Sequence, residues 1–432
     1  MNDTSPTAPI TSEPLPDTAC GCEVAAPSRR RFLTGAAAVA GAAGLAGTLG
    51  GTLAGPLGPG GPLGSTAGAA ARRGAGKLIV VFLRGGIDGL SAVVPVADSA
   101  YYAARPGIAV PADAALPLDA TFGLHPAMAP LHELWQDGRL AVIHAVGNPA
   151  RSRSHFDAQD LLEQGSDTQR TDAAGWLARY LATTTSSAPH GGLFRAVAIS
   201  GGVPGSLRGS NALAIPSVSG FGLGGVTGAS TTWTGVLNQM YQGRLPVEAV
   251  GRTTVQAVTT VGGVTPPSTS SSFTEAAALL GAGLGVEVVT VDTGGWDTHD
   301  SMGTHESGEM RDLLAGLAGS LAGLQADLDA RGLSEVTTVV MSEFGRRLIE
   351  NGSGGTDHGT ANMMLVMGGA ARSGPVLGTW PGLATDDLDR GDLAITTDVR
   401  DVLWELTSAV LGHPDPGVVF SGHTHTPVGA VR

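Results

Sequence analysis

Two aspartate–histidine pairs follow predicted strands and could bind a metal ion. Asp297 and His299 lie behind two glycines, and residues two apart in an extended segment point to the same side. Asp357 and His358 are adjacent in a Gly-rich loop, where a turn would let both side chains face one site. Carboxylate oxygen and imidazole nitrogen are ordinary metal ligands. The pattern predicts one or two divalent ions, with zinc, manganese, calcium and magnesium all open.

A dense polar segment at 147–157 could supply a nucleophile and groups that bind an anion. Ser152 and Ser154 are the candidate nucleophiles, although a serine at the start of a helix is also an ordinary N-cap. Arg151 and Arg153 carry planar, forked guanidinium groups, which match the geometry of an oxyanion. Both interpretations of the serines stay open at this point.

Two further polar residues follow predicted strands. Asp88 comes after the first strand and its glycine turn, and is either a metal ligand or a turn aspartate. Arg346 follows a later strand and is a candidate clamp for an oxyanion. A metal can lower the pKa of a serine or water and can hold the attacking and leaving oxygens of a transferred group. The polar residues together predict a two-metal hydrolytic site.

Runs of aliphatic and β-branched residues predict strands that are buried on both faces, as in a parallel sheet. These runs lie at 77–83, 140–146, 196–200, 286–292, 336–341 and 363–368. Helical patterns alternate with them at 126–136, 173–183, 274–280, 306–330 and 398–411. The alternation predicts an α/β fold with a mainly parallel sheet layered between helices, whose chemistry lies at the carboxyl ends of the strands.

Residues 201–272 differ from the rest, because they are rich in Gly, Ser, Thr and Pro. Two short helical patterns interrupt this stretch, at 233–241 and 247–258. We predict an insertion or cap over the sheet rather than an independent domain.

The N-terminal segment has the parts of an export signal. Residues 28–33 (SRRRFL) match the twin-arginine pattern, and a weakly hydrophobic Ala/Gly/Leu run follows. We therefore expect residues 1–71 to be a twin-arginine signal peptide with a Pro/Gly-rich spacer, and 72–432 to be the mature domain. The expected partner is the twin-arginine translocase, and the expected location is periplasmic, cell-wall or extracellular. A membrane anchor is the alternative, but the glycine density disfavours a stable one.

Charge narrows the class of ligand. The net charge of -13 disfavours nucleic acid, which requires a basic face to neutralise phosphates. A small anionic ester remains possible, because a few local arginines can hold one.

Six motifs resemble a large bacterial family of exported proteins, catalogued as a domain of unknown function (fifteen-oh-one) and related to the alkaline phosphatase and sulfatase superfamily. They are FLRGGIDGLSAVVP at 82–95, LHPAMAPLHELW at 124–135, SRSHFDAQD at 152–160, DTGGWDTH at 292–299, SEFGR at 342–346 and TDHG at 356–359. The resemblance implies an alkaline-phosphatase-like fold and a nucleophile at a helix start, which favours Ser154 over Ser152. The metal ligands it implies are Asp88, Asp297, His299, Asp357 and His358. For the superfamily's last metal histidine, the candidates are His413, His423 and His425.

The leading hypothesis is an exported metal-dependent hydrolase of a phosphate or sulfate ester. Its anion clamps would be Arg151, Arg153 or Arg346. The alternative is an exported binding or assembly protein that keeps the fold and has lost catalysis, because fold alone does not determine function.

Overall fold

The computed structural model describes residues 76–170, 173–186, 192–222, 230–243, 245–265 and 269–432. The predicted export segment, residues 1–71, lies outside these ranges. Within them, no helix combines the length and the apolar character needed to cross a bilayer.

Continuous apolar runs form the strands at the centre of the fold, as their composition predicts. The strands are β1 (Lys77–Leu83), β2 (Val93–Val94), β3 (Leu116–Pro117), β4 (Gly123–Leu124), β5 (Leu140–Gly147), β6 (Ala196–Ile199), β7 (Leu213–Ile215), β8 (Val288–Thr293), β9 (Val336–Ser342), β10 (Arg346–Glu350), β11 (Thr356–His358), β12 (Asn362–Gly368) and β13 (Thr397–Asp398).

An eight-stranded sheet has the order β13-β5-β12-β9-β1-β8-β6-β7. Its pairings are parallel except those of β12, which runs antiparallel to both β5 and β9. β10 and β11 form a separate two-stranded antiparallel hairpin, and β2, β4 and β3 form a small third sheet. The predicted mainly parallel sheet is therefore confirmed.

Helices cover both faces of this sheet. They are α1 (Gly89–Ala92), α2 (Ser99–Ala104), α3 (Ala129–Gln136), α4 (His155–Gln164), α5 (Trp176–Thr183), α6 (Ser230–Met240), α7 (Pro246–Val261), α8 (Ser272–Gly281), α9 (Glu309–Ala330) and α10 (Val399–Glu405). Alternate residues of β1 enter opposite layers: Ile79 and Val81 pack with α8 and α9, whereas Leu78 and Val80 pack with α5 and α10. This alternation follows from the two-residue period of a strand and confirms the layered α/β class.

The segment predicted as an insertion, 201–272, is partly built into the sheet. β7 lies within it and pairs in parallel with β6, so that it extends the sheet by one strand. The two predicted helical pieces are present as α6 and α7, which pack on each other. Among the described residues of this segment, β7 thus belongs to the sheet, and α6 and α7 follow it outside the sheet.

The sheet brings several polar segments to one edge. The carboxyl ends of β1, β5, β8 and β9 meet there, because these strands run in the same direction. β12 runs the opposite way, so its first residue starts at that edge, directly after the β10–β11 hairpin. The candidate site lies where these segments converge.

Gly345, which joins β9 to β10, is a steric requirement of this arrangement. A methyl group there would lie 1.8 Å from the carbonyl oxygen of Ala361. We expect Gly345→Ala to lower the free energy of unfolding by about 3 kcal/mol or more, because backbone must move to accept it. The measurement is urea denaturation of both proteins.

Gly319→Ala is the matched control. Gly319 is exposed in the middle of α9, and an added methyl group there meets no atom within 4 Å. Alanine has the higher helix propensity, so this variant should gain about 0.8–1.0 kcal/mol. Equal stability of the two variants would argue against the packing described at Gly345.

Candidate metal centre

Three side chains from three separate segments place their ligand atoms together. His155 begins α4, Asp297 follows β8, and His358 ends β11. One imidazole nitrogen of each histidine and one oxygen of Asp297 all lie within 4.8 Å of one another. Two imidazoles and one carboxylate form a recurrent catalytic metal set that leaves coordination positions open.

The ring of His155 is oriented by a buried carboxylate. Its Nδ1 lies 2.8 Å from Oε1 of Glu343, which also accepts from the backbone N–H of Gly85 and the amide of Gln159. Burial raises the pKa of Glu343, but the hydrogen bonds from Gln159 and His155 outweigh it and leave the pKa below its usual value. Oε1 of an ionised Glu343 accepts from Nδ1 of His155, and the Nε2 of this ring faces Asp297 Oδ2 at 3.3 Å.

His358 has the same orientation by a different partner. Its Nδ1 lies 2.9 Å from the carbonyl oxygen of Arg153, which can only accept. Burial lowers the pKa of His358, although the nearby Asp297 carboxylate and Arg153 carbonyl oppose this effect, and the result favours the neutral ring. The Nε2 lone pair therefore faces Asp297 Oδ1 at 3.0 Å. Such an approach of two acceptors is stabilised when a cation lies between them.

His299 lies next to His358 and Asp297. Its Nε2 lies 2.9 Å from Nε2 of His358 and 3.0 Å from Oδ1 of Asp297. Its Nδ1 is 3.3 Å from Oδ1 of Asp357. Two nitrogens bound to one tetrahedral zinc ion would be about 3.3 Å apart, given Zn–N distances of about 2.0–2.1 Å. The Nε2 of His299 is thus close enough to the group to be a candidate fourth ligand.

Asp357 differs from the predicted placement. Its carboxylate contacts the Nδ1 side of His299 and the side-chain amide of Asn351, away from the point where the Nε2 atoms converge. The reason is that Asp357 and His358 are neighbours in strand β11 rather than in a turn, so their side chains diverge. We therefore assign Asp357 to the orientation of His299 rather than to direct coordination.

Arg346 is buried beneath Asp297 and does not serve as the predicted oxyanion clamp. Its guanidinium donates to Asp297 Oδ1 at 2.6 Å and to the backbone carbonyls of Gly85, Gly86, Trp296 and Thr356. Nη1 also lies 3.4 Å from Nε2 of His299, so each nitrogen of the buried guanidinium is engaged within the protein and none faces a substrate. Burial alone would raise the pKa of Asp297, but the hydrogen bond from Arg346 and the contact with His358 hold it at about 2. The carboxylate stays ionised.

The glycine turn after β1 packs directly against the backbone of Asp297. Gly85 has φ +125°, a conformation that favours glycine, and a Cβ there would lie 2.6 Å from the backbone nitrogen of Asp297. This close approach lets the turn bind Glu343 and Arg346 at once.

Asp88 lies outside the centre, contrary to its prediction as a ligand. It is fully buried and caps α1 by accepting from the N–H of Leu90. Both of its oxygens bind the guanidinium of Arg105, and Oδ2 also accepts from Ser91. A carboxylate so engaged has no position left for a metal, and the turn-aspartate interpretation fits it.

The predicted serines and arginines lie directly before His155. Ser154 is exposed and is the N-cap of α4, with Oγ accepting from Asp157 N at 3.5 Å, and Ser152 Oγ accepts from Ser154 N at 3.2 Å. Arg153 binds Asp392, and Arg151 lies 3.2 Å from Asp389. These four residues border the centre without a direct contact to Asp297.

Sequence reasoning missed the third histidine and its partner. The SRSHFDAQD motif contains His155 next to the serines, and the SEFGR motif contains Glu343 at the end of β9. Neither residue belongs to an aspartate–histidine pair, the pattern that predicts metal ligands in this sequence. The downstream candidates His413 and His423 instead contact Thr183 and Asp401.

The fold is thus that of a layered α/β protein. Its candidate metal centre, formed by histidine and aspartate side chains, lies at the carboxyl edge of a mainly parallel sheet. Residues 253–404 match the model of a family described as "Protein of unknown function (DUF1501)". That range contains the DTGGWDTH, SEFGR and TDHG motifs and confirms the resemblance for this part of the chain. No curated protein sequence matches the chain.

Two solved structures show a distant likeness. The PsFucS1 sulfatase from Pseudoalteromonas sp. has 12% identity and a TM-score of 0.36, over 83% of this chain and 73% of that one. The PH0037 protein from Pyrococcus horikoshii has 12% identity and a TM-score of 0.32, over 79% of this chain and 98% of that one.

The buried Asp88–Arg105 pair provides a test of the structural role of Asp88. Asp88→Ala leaves the Arg105 guanidinium buried without its counter-charge, which should cost about 3–5 kcal/mol of unfolding free energy. The double variant Asp88→Ala/Arg105→Met should recover much of this loss. The measurement is urea denaturation, with metal content determined on the folded double variant.

A metal-ligand role for Asp88 predicts the opposite pattern of stability and metal content. It would require the folded double variant to lose its metal while the single variant stayed close to wild-type stability.

Proposed function

We propose that this chain is a metal-dependent hydrolase of a phosphate or sulfate ester that acts after export by the twin-arginine route. The observation that carries the proposal is the orientation of three histidines. His155, His299 and His358 each place Nδ1 against a carboxylate or carbonyl oxygen, and each directs Nε2 toward Asp297. Acceptors that converge in this way suit a divalent cation.

The residues present fit such an ion. Neutral imidazoles and an ionised carboxylate are the protonation states that metal binding requires. The outer contacts from Glu343 and the Arg153 carbonyl are of the kind that holds metal-bound histidines in one tautomer. When bound, the ion would supply Lewis acidity to an ester oxygen and lower the pKa of an attacking oxygen. One ion accounts for the ligand atoms described.

Ser154 is the proposed nucleophile. It immediately precedes His155, the residue is exposed, and in the described part of the chain its hydroxyl has one hydrogen bond, the 3.5 Å contact from the N–H of Asp157. The hydroxyl is therefore accessible to an ester held at the centre. Arg151 and Arg153 stand in the same segment, where their guanidinium groups favour an anionic substrate.

A catalytically inactive binding or assembly protein is the second candidate function. It is favoured by the placement of Asp88 and Asp357, because neither lies where it could complete a second metal site. A single ion can support hydrolysis or can simply stabilise the protein, so activity must decide between them.

The metal content of the purified full chain tests the site. We expect about one divalent ion per chain in protein prepared without chelators, and loss of that ion in Asp297→Ala and His155→Ala. Asp357→Ala should weaken metal affinity about 10–100-fold rather than abolish binding, because Asp357 acts through His299. Elemental mass spectrometry measures all four proteins.

Asp312→Ala, an exposed carboxylate on α9, is the matched control and should keep its metal. No ion after reconstitution of the wild type, or an unchanged content in Asp297→Ala, would contradict the assignment.

A panel of aryl phosphates and aryl sulfates tests catalysis. We expect turnover that a chelator abolishes, and a fall in kcat of roughly 10³-fold or more in Ser154→Ala, because the nucleophile is removed. Ser152→Ala is the control, since its hydroxyl only supports the turn before α4.

Metal-dependent turnover that survives in Ser154→Ala would remove the serine from the mechanism and leave water as the nucleophile. Persistent absence of turnover in metal-loaded protein would favour the binding protein.

A further inference from the structure

A second charged cluster adjoins the metal centre. It contains the side chains of Arg151, Arg153, Arg347, Arg390, Asp389 and Asp392, which we call the arginine cluster. Four positive charges face two negative ones, in a chain whose net charge is -13. A local excess of positive charge in an acidic protein is an attractive place for an anion.

The two aspartates arrange the arginines without neutralising them. Asp392 is buried and binds Arg153, while Nε of Arg347 lies 3.4 Å from its second oxygen. Asp389 lies 3.2 Å from Arg151 and 3.6 Å from Arg390. Nε of Arg153 is buried and has no hydrogen-bond partner in the described part of the chain. Oδ2 of Asp389 and Oδ1 of Asp392 likewise have no hydrogen-bond partner there, so the surplus of the cluster is one of charge, with four guanidinium groups against two carboxylates.

A tight turn presents Arg390 at its tip. Asp389 and Asp392 exchange backbone hydrogen bonds of 2.9 and 3.0 Å, with Arg390 at φ +54° and Gly391 at φ +84° between them. A non-glycine residue in this region is uncommon, and Arg151 adopts it as well, with φ +54°. Such backbone strain concentrates at functional sites. The side chains of Arg390 and Arg151 remain 60% and 49% exposed, and are thus available to a ligand.

The cluster and the metal centre are physically continuous. The backbone carbonyl of Arg153 holds His358, while its guanidinium holds Asp392. Arg347 follows Arg346 in β10, and Arg346 pairs with His358 across the hairpin. A ligand with two charged groups can therefore engage both places.

We infer that the arginine cluster binds a second anionic group of the substrate, so that the substrate class is a polyanion with at least two phosphate or sulfate groups. The substrate part of this inference rests on the proposed function. Binding of an anion to the cluster does not, because it uses no metal ligand.

Calorimetric titration of the full chain with inorganic pyrophosphate and inorganic phosphate tests the inference, in metal-loaded and chelator-treated protein. We expect pyrophosphate to bind more tightly than phosphate in the chelator-treated protein, and added salt to weaken it. The double variant Arg151→Gln/Arg390→Gln should lose at least about tenfold in pyrophosphate affinity, because charge-assisted hydrogen bonds are removed. Both side chains are exposed, so the variant should fold.

Arg331→Gln, an exposed arginine at the far end of α9, is the matched control and should bind like the wild type. Asp297→Ala should retain pyrophosphate binding, which separates this inference from the metal assignment. Equal pyrophosphate affinity in the wild type and the double variant would overturn it, as would loss of binding in Asp297→Ala with the cluster intact. Anion binding that persists without any ester turnover would leave the cluster assigned and would count only against the hydrolase.

Discussion

The buried guanidinium of Arg346 is the interaction on which the site depends. It ties the glycine turn after β1, the loop after β8 and the start of β11 to one point, and it bonds the carboxylate of Asp297 directly. Arginine suits this task, because its planar group donates in several fixed directions and stays charged when buried. Without this charge, an ionised Asp297 beside several lone pairs would be difficult to stabilise.

The sheet was predictable from the sequence because its strands are buried on both faces and therefore appear as unbroken apolar runs. β7 and β13 escaped prediction, since three residues and two residues are too short to show a period. The close approach of Asp297, His299 and His358 was also predictable, because each follows or precedes a strand at one edge. His155 was missed because its partner, Glu343, is 188 residues away in the chain.

Asp88 shows where residue patterns mislead. A carboxylate after the first strand of a parallel sheet looks like a ligand, and only the neighbouring segments decide its role. Arg105 directly follows a short helix, α2, that the strand pattern does not reveal, and its guanidinium contacts both oxygens of the carboxylate. Arg346 is the converse case, an arginine that looks available in the sequence and is fully used in the fold.

The antiparallel direction of β12 has a consequence for how the site assembles. Because β12 starts at the edge where the candidate site lies, the hairpin before it brings His358 to the site from outside the main sheet. The candidate ligands at positions 155, 297 and 358 thus meet only through contacts of long sequence separation, whose loop-closure entropy must be overcome before they form. Metal occupancy would then report a completed domain, and a partly folded chain would have no such site to fill.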